Sequence, residues 1–226
     1  MTLDVRRLGR VEYGEALGLQ RTLVEARRSG KIGDTLLLLE HPPVITLGAR
    51  SRGARTNVVA SGDALDAAGV AVHETGRGGD VTYHGPGQLV GYPILDLRDW
   101  KRDVGAYVRA LEQTLIDTLG DYGIEAGRIP KLTGVWVGDR KIAAIGVHLS
   151  RWVTSHGFAL NVSTDLSYFQ YIVPCGLTKP VTSMAALGVR ASWEEVGRRL
   201  VPHFARNFEC EITAEMPALA ALESEN

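Results

Sequence analysis

Between positions 76 and 94 the chain reads GRGGDVTYHGPGQLVGYPI, with glycine at 76, 78, 79, 85, 87 and 91. Glycine at this density permits positive φ and lets backbone approach another surface more closely than side chains allow. A phosphate-binding loop would need G-x-x-x-x-G-K-[ST], and a dinucleotide turn would need G-x-G-x-x-G leading into a helix. Here Gly85-Pro86-Gly87 leads into an apolar run, Gln88 to Leu97, that reads as a strand. Neither nucleotide motif is met. The segment is a wall, either a turn that serves topology alone or a bed for a ligand.

A chain of 226 residues that is 45% hydrophobic can close a core without disulfide or metal staples. One domain is expected over residues 1–216, followed by an alanine- and glutamate-rich, frayed tail, 217–226. A net charge of -1 gives no overall field that would recruit nucleic acid or an anionic membrane. The first ten residues carry no apolar signal core, and no stretch approaches the ~20 apolar residues of a membrane span. A cytoplasmic monomer is therefore expected, with no nucleic-acid or membrane partner. Cys175 and Cys210 make neither a disulfide framework nor a zinc quartet, and no metal or cofactor is expected.

Apolar spacing predicts helices over Tyr13–Ser29, Asp63–Ala68 and Asp103–Tyr122. The first carries Leu17, Leu19, Leu23 and Val24; the last carries Val104, Val108, Leu111, Leu115 and Leu119. Ser192 followed by Glu195 is a capping-box pattern opening a final helix to about Phe208. Short apolar runs predict strands over Thr35–Glu40, Val44–Leu47, Val70–Glu74 and His156–Val162. Val135–Val137 and Lys141–Leu149, joined by Gly138-Asp139, read as a hairpin. Pro93 places part of the Gln88–Leu97 strand at a sheet edge. Strands and helices mix without βαβ alternation, so the expected class is α/β (α+β), a mixed, largely antiparallel sheet flanked by helices.

His84, taken alone, reads as a hydrogen-bonded structural histidine. Cys175 sits in Ile172-Val173-Pro174-Cys175-Gly176. Buried cysteine is usually inert filler, but proline and glycine on either side put this one at a bend, where reactive groups are presented. A free thiol of pKa ~8.5 needs a base or cation nearby to act as a nucleophile. Cys210, between Glu209 and Glu211, reads as strand filler with a raised pKa and no role. Strand alternation puts Lys141 on one face with Ala143, Ile145 and Val147. That lysine either snorkels to water or lies over an apolar floor as a proton acceptor; periodicity does not choose between the two. Arg50, Arg52 and Arg55 cluster in a loop that is either simply solvated or a docking point for an acidic partner.

Several separated blocks occur in one order: Glu40-His-Pro-Pro-Val-Ile-Thr-Leu-Gly48, Arg77-Gly-Gly-Asp-Val-Thr-Tyr-His-Gly-Pro-Gly-Gln-Leu89, Lys141-Ile-Ala-Ala-Ile-Gly-Val147, His156-Gly-Phe-Ala-Leu-Asn-Val162, Pro174-Cys-Gly176 and Val181-Thr-Ser183. In this the chain, from about Tyr13 to Met184, resembles the lipoyl(octanoyl) transferases of lipoate biosynthesis. The resemblance implies the catalytic fold shared with lipoate and biotin protein ligases. It implies an acyltransferase in which Cys175 takes the octanoyl group of octanoyl-acyl carrier protein as a thioester and Lys141 acts as general base. The acceptor would be a lysine of a lipoyl domain, as in 2-oxoacid dehydrogenases or the glycine-cleavage carrier protein. Substrate binding carries over to Arg77, Gly78, Gly79, Asp80, Val81, Thr82, Tyr83 and His84, to Ala144, Ile145 and Gly146, and to Gly157, Phe158 and Ala159. The Arg50–Arg55 stretch departs from the family pattern.

Two other readings remain. An ATP-dependent lipoate or biotin ligase would share the glycine-rich segment and the strand lysine but would not use a nucleophilic thiol. A non-catalytic lipoyl-domain binding protein would leave Cys175 no more reactive than Cys210.

Overall fold

The structure is a computed structural model that describes residues 1–51, 57–173 and 179–216. In chain order the described elements are β1 (Thr2–Arg10), α1 (Tyr13–Arg28), β2 (Asp34–Glu40), β3 (Val44–Leu47), α2 (Gly62–Ala67), β4 (Ala71–Glu74), β5 (Val81–His84) and β6 (Gln88–Ile94). They continue with α3 (Val104–Gly120), β7 (Gly127–Ile129), β8 (Leu132–Val137), β9 (Arg140–Ser150), β10 (Val153–Asn161), α4 (Trp193–Phe208) and β11 (Glu211–Met216). Eight strands form one sheet in the order β11-β1-β2-β6-β10-β9-β8-β7, and β4-β3-β5 form a second. In the large sheet only β11–β1 and β1–β2 are parallel pairs. The sheet is thus mixed and largely antiparallel, with helices on both faces.

The strand β2 explains the layering. Its sequence DTLLLLE is buried throughout. Leu36 and Leu38 point into a core shared with Tyr107, Leu111 and Leu115 of α3 and Val196, Leu200 and Phe204 of α4. Leu37 and Leu39 point the other way, onto Ala16, Leu23 and Val24 of α1. A strand covered on both faces needs apolar residues at every position, so its period of two is hidden in the sequence. Asp103 and Ser192 open α3 and α4 as N-caps, accepting from the Ala106 and Glu195 amides at 2.9 and 3.2 Å. The small sheet has its own core, where Ile45, Leu47, Val81 and Tyr83 meet Leu65 of α2 and Ile172.

Three expectations are corrected. First, β6 lies between β2 and β10, so Pro93 is not at an edge. The β10 ladder pairs Phe158–Asn161 with Gly91–Gln88 and stops before Pro93. There His156 takes φ 55° and donates its N–H to Gln20 Oε1 at 2.7 Å. The missing proline donor falls where the neighbouring ladder is already broken. Second, the buried stripe of α1 is Tyr13, Ala16, Gln20, Leu23 and Val24, with Leu17 and Leu19 only half-buried. Third, Tyr107 rather than Val104 faces the core from α3, and Val104 is exposed.

Candidate active site

The glycine-rich segment bridges the two sheets. Its tip is tied on one side to Gly48–Arg50, where the Gly48, Ala49 and Arg50 amides donate to the Asp80, Arg77 and Gly79 carbonyls at 3.0, 2.9 and 3.1 Å. On the other side the Gly78 amide donates to the Val147 carbonyl of β9 at 2.8 Å. A Cβ on Gly48 would stand 2.5 Å from the Gly79 carbonyl oxygen, and one on Gly146 would stand 2.8 Å from that of Gly78. These glycines therefore let backbone lie on backbone. The Arg77 side chain is buried and threads between the sheets. Its Nη2 donates to the Thr46 carbonyl at 2.7 Å, its Nε to Thr46 Oγ1 at 3.1 Å and its Nη1 to the Gly78 carbonyl at 3.1 Å.

Under this bridge lies a cavity of about 400 Å³, toward the small end of the ~300–1,000 Å³ usual for small-molecule sites. Its wall is part apolar, with Ala144, Ile145, Phe158 and Val181, and part polar, with Tyr13, Arg77, His84 and His156. Lys141 reaches it through a β-bulge. Val135 pairs with Ala143 and Trp136 with Lys141, which leaves Ile142 as an extra residue in β9. Ile142 and Ala143 then both enter the main core, and Lys141 joins Ala144 and Gly146 on the cavity wall. The alternation that put Lys141 with Ala143, Ile145 and Val147 is broken by one residue. The ammonium nitrogen sits 4.7 Å from the Trp136 ring centroid. The Lys141 backbone is held by Pro180 and Thr182, its N–H donating to the Pro180 carbonyl and its carbonyl accepting from Thr182, both at 2.9 Å.

Two buried histidines, His84 and His156, line the cavity, and a third, His41, packs behind Tyr13, His84 and Tyr92. Nδ1 of His41 lies 2.6 Å from the Val11 carbonyl and Nε2 lies 2.7 Å from the Tyr92 hydroxyl. A carbonyl can only accept, so Nδ1 carries the proton and Nε2 accepts from Tyr92. Gln88 Nε2 donates to the Tyr83 carbonyl at 3.2 Å and to Asn161 Oδ1 at 2.9 Å. Its Oε1 therefore accepts from His84 Nδ1 at 2.7 Å. Burial pulls His41 down to about 4, His84 to about 3 and His156 to about 4, with Arg77 adding repulsion at the last two. All three are neutral at pH 7.

Of the residues singled out in the sequence, Arg77, Gly79, Val81, Thr82, His84, Lys141, Ala144, Ile145, Gly146, Gly157, Phe158 and Ala159 line this cavity. Gly78, Asp80 and Tyr83 do not. Gly78 packs on β9. The Asp80 carboxylate accepts from Ser51 Oγ and Asn57 Nδ2, both at 2.5 Å. Tyr83 turns into the small-sheet core and stacks on Tyr168. Cys175, Arg52 and Arg55 lie outside the described residues, as does the tail 217–226. Arg50 lines the cavity and is exposed, while His148 is exposed and does not. Sequence reasoning missed Tyr13, Tyr92, Lys131, His156 and Asn161 on the wall. Only His156 had a visible signal, as a polar residue at the start of an apolar run. Cys210 is half-buried; burial, then the Asp34 carboxylate, pushes its thiol up to about 11, so the flanking glutamates are not the cause.

Comparison with known proteins places the chain in a family. Residues 12–205 match the lipoyl protein ligase A/B catalytic domain. An octanoyltransferase of Solibacter usitatus (strain Ellin6076) is 75% identical over 208 residues, covering 92% of this chain and 94% of that protein. One from Caldicellulosiruptor bescii is 51% identical over 212 residues, with 92% of each covered. Among solved structures, lipoate-protein ligase A bound with ATP superposes with a TM-score of 0.76 at 18% identity, over 95% of this chain and 89% of that one. Biotin protein ligase from Aquifex aeolicus superposes at 0.52 and 12% identity, over 91% and 69%. At those identities the two ligases share the fold only. The chain belongs to the lipoyl protein ligase A/B catalytic-domain family and, within it, to the octanoyltransferases.

Proposed function

We propose that this protein transfers an octanoyl group from octanoyl-acyl carrier protein to a lysine of a lipoyl domain, through a thioester on Cys175 with Lys141 as proton acceptor. The observation that carries the reading is the β9 bulge, which sets a lysine at the rim of a half-apolar cavity sized for a short acyl chain. In sequence, Cys175 is five residues from Pro180, whose carbonyl holds the Lys141 amide, a chain reach of at most ~18 Å. Ala144, Ile145 and Gly146 offer the apolar floor, with Phe158 and Val181 beside it.

The chemistry balances without ATP, because a thioester enters. The Cys175 thiol gives its proton to Lys141 Nζ, and the thiolate attacks the donor's thioester carbonyl. The tetrahedral intermediate expels the donor thiolate, which recovers the proton from Lys141. In the second half, the acceptor lysine arrives as a free amine, having left one proton in solvent. It attacks the Cys175 thioester and loses a second proton to Lys141, which returns it to the departing cysteine thiolate. A ligase would instead adenylate its substrate, for which a thiol nucleophile is of no use. A reducing, cytoplasmic setting keeps such a thiol free, and among the described residues no helix is long and apolar enough to cross a membrane.

Intact-mass measurement after mixing with octanoyl-acyl carrier protein, with no ATP, tests the reading. Wild type should gain a hydroxylamine-labile octanoyl group, and Cys175→Ser should not. An adduct on the serine variant, or transfer that requires ATP, would overturn it.

A further inference from the structure

The cavity wall sets a problem for Lys141. Arg50, Arg77 and Lys131 share that wall, and none of its described residues is a carboxylate. The remaining ionisable groups on it are Tyr13, Tyr92, His84 and His156; burial raises the two phenols and lowers the two imidazoles, so all four are neutral at pH 7. A proton acceptor on this wall must be good at holding the proton it takes.

Trp136 stands opposite Lys141 across the β8–β9 pair, on the near side of the bulge. Its ring is 2% exposed, and the ammonium lies over it at 4.7 Å. The indole N–H is buried and meets no acceptor among the described residues. An orphaned donor is a cost that a phenylalanine of nearly the same shape would avoid. What the indole adds in return is the most electron-rich face among the side chains. A second feature of β8 shapes the same seat. Gly134 has φ 120°, and a Cβ there would stand 2.7 Å from the Ala143 carbonyl oxygen and 3.5 Å from Lys141 Cε. The missing side chain leaves a channel for the lysine stem, so Gly134 and Trp136 together fix where the nitrogen ends.

We infer that Trp136 is a positioning residue for Lys141, its ring face holding the amine in its protonated form at the cavity rim. The inference rests on Lys141 being the proton acceptor of the transfer. The gain is direct: the cysteine and lysine share one proton, and whatever favours the ammonium favours the thiolate by the same factor. A desolvated cation–π contact carries roughly a 5- to 30-fold preference of this kind.

Competitive labelling with acetic anhydride across pH 7–11, read at Lys141 by peptide mass with Lys31 as internal standard, tests this on the full-length protein. The midpoint of the profile reports protonation, whereas a change in access alone moves only its plateau. Trp136→Leu should lower the Lys141 midpoint by about one pH unit, making labelling at pH 8 about tenfold faster relative to its own plateau. Trp136→Phe should keep at least half of the wild-type preference, and its near-isosteric ring keeps the test available if the leucine variant fails to fold. An unchanged midpoint in the leucine variant, equal shifts in both variants, or a phenylalanine variant whose midpoint falls by about one pH unit or more would refute a role for the ring face. The labelling readout needs no acyl transfer, so failure here is separable from failure of the octanoyl adduct to form.

Discussion

Acidification from pH 7 to pH 5 should remove about 6 kcal/mol of folding stability, and three residues account for it. His41, His84 and His156 are buried and held near 4, 3 and 4, against ~6.5 in an unfolded chain. A depressed histidine is neutral in the fold, so its contribution is intact above about pH 6.5. It is lost as pH falls, because the unfolded chain takes up a proton that the folded one refuses. Between pH 6.5 and 5 each site loses about 1.5 × 1.36, or about 2 kcal/mol, and three sites lose about 6. Below about pH 4 the loss levels off as the native rings begin to titrate. Against a total stability of ~5–15 kcal/mol, this is enough to unfold much of the population.

Urea titrations at pH 7.0, 6.0, 5.5 and 5.0 measure the effect. With an m-value of about 3 kcal/mol/M, the midpoint should fall by about 2 M across the series. Its slope near pH 5.5 should approach three protons, about 4 kcal/mol per pH unit. His41→Gln, which keeps a donor for the Val11 carbonyl, should lower that slope to about two protons. A midpoint that moves by less than about 0.5 M would refute the argument. So would native histidine C2–H resonances for these three that titrate near pH 6.5.

Other expectations follow from single contacts. Lys141→Ala should slow both acyl-enzyme formation and release by about 10²–10⁴-fold in single-turnover assays while leaving the melting profile in place; wild-type rates would remove the lysine from the mechanism. Gly48→Ala forces a methyl against the Gly79 and Asp80 carbonyl oxygens at 2.5 and 2.9 Å and should cost about 1–3 kcal/mol by urea denaturation. Phe158→Ala empties a ring that is 2% exposed and packs in the main core, for about 3–5 kcal/mol of stability. Arg77→Lys keeps the charge but cannot reproduce the guanidinium's fork to Thr46 and Gly78; the donor's KM should rise roughly tenfold (about 1.4 kcal/mol) while net charge is unchanged.

Much of the fold was legible because its signals are local. Val44–Leu47 is bounded by Pro43 and Gly48, and the strand matches those limits. Asp103 and Ser192 cap helices because their side-chain oxygens meet amides three residues on. What was hidden is what depends on partners. β1 and β11 pair in parallel, joining residues more than 200 apart; the short alternations Thr-Leu-Asp-Val and Glu-Ile-Thr-Ala-Glu-Met do not say which strand each will meet. Pro93 in a central strand depends on a kink in another strand and on a glutamine from α1. The bulge at Ile142 has no sequence mark, because Ile-Ala-Ala-Ile reads equally well with or without an extra residue.

The glycine-rich segment shows where that boundary runs inside the site. Its composition correctly signals close approach, but the surface approached at Gly48, Gly78 and Gly146 is backbone of the protein itself. Between and after those contacts the segment lines the cavity through Arg77, Gly79, Val81, Thr82 and His84. Four polar residues of the wall come from three separate elements. Tyr13 comes from α1, Gln88 and Tyr92 from β6, and His156 from the kink in β10. Those four meet only because β6 and β10 are neighbours and α1 covers them. A single substitution that straightens the kink, such as Gln20→Leu, removes the acceptor of the His156 amide and leaves that donor buried at about 1–3 kcal/mol. It should therefore disturb the cavity from a residue that does not line it, which transfer kinetics and urea denaturation of that variant would read together.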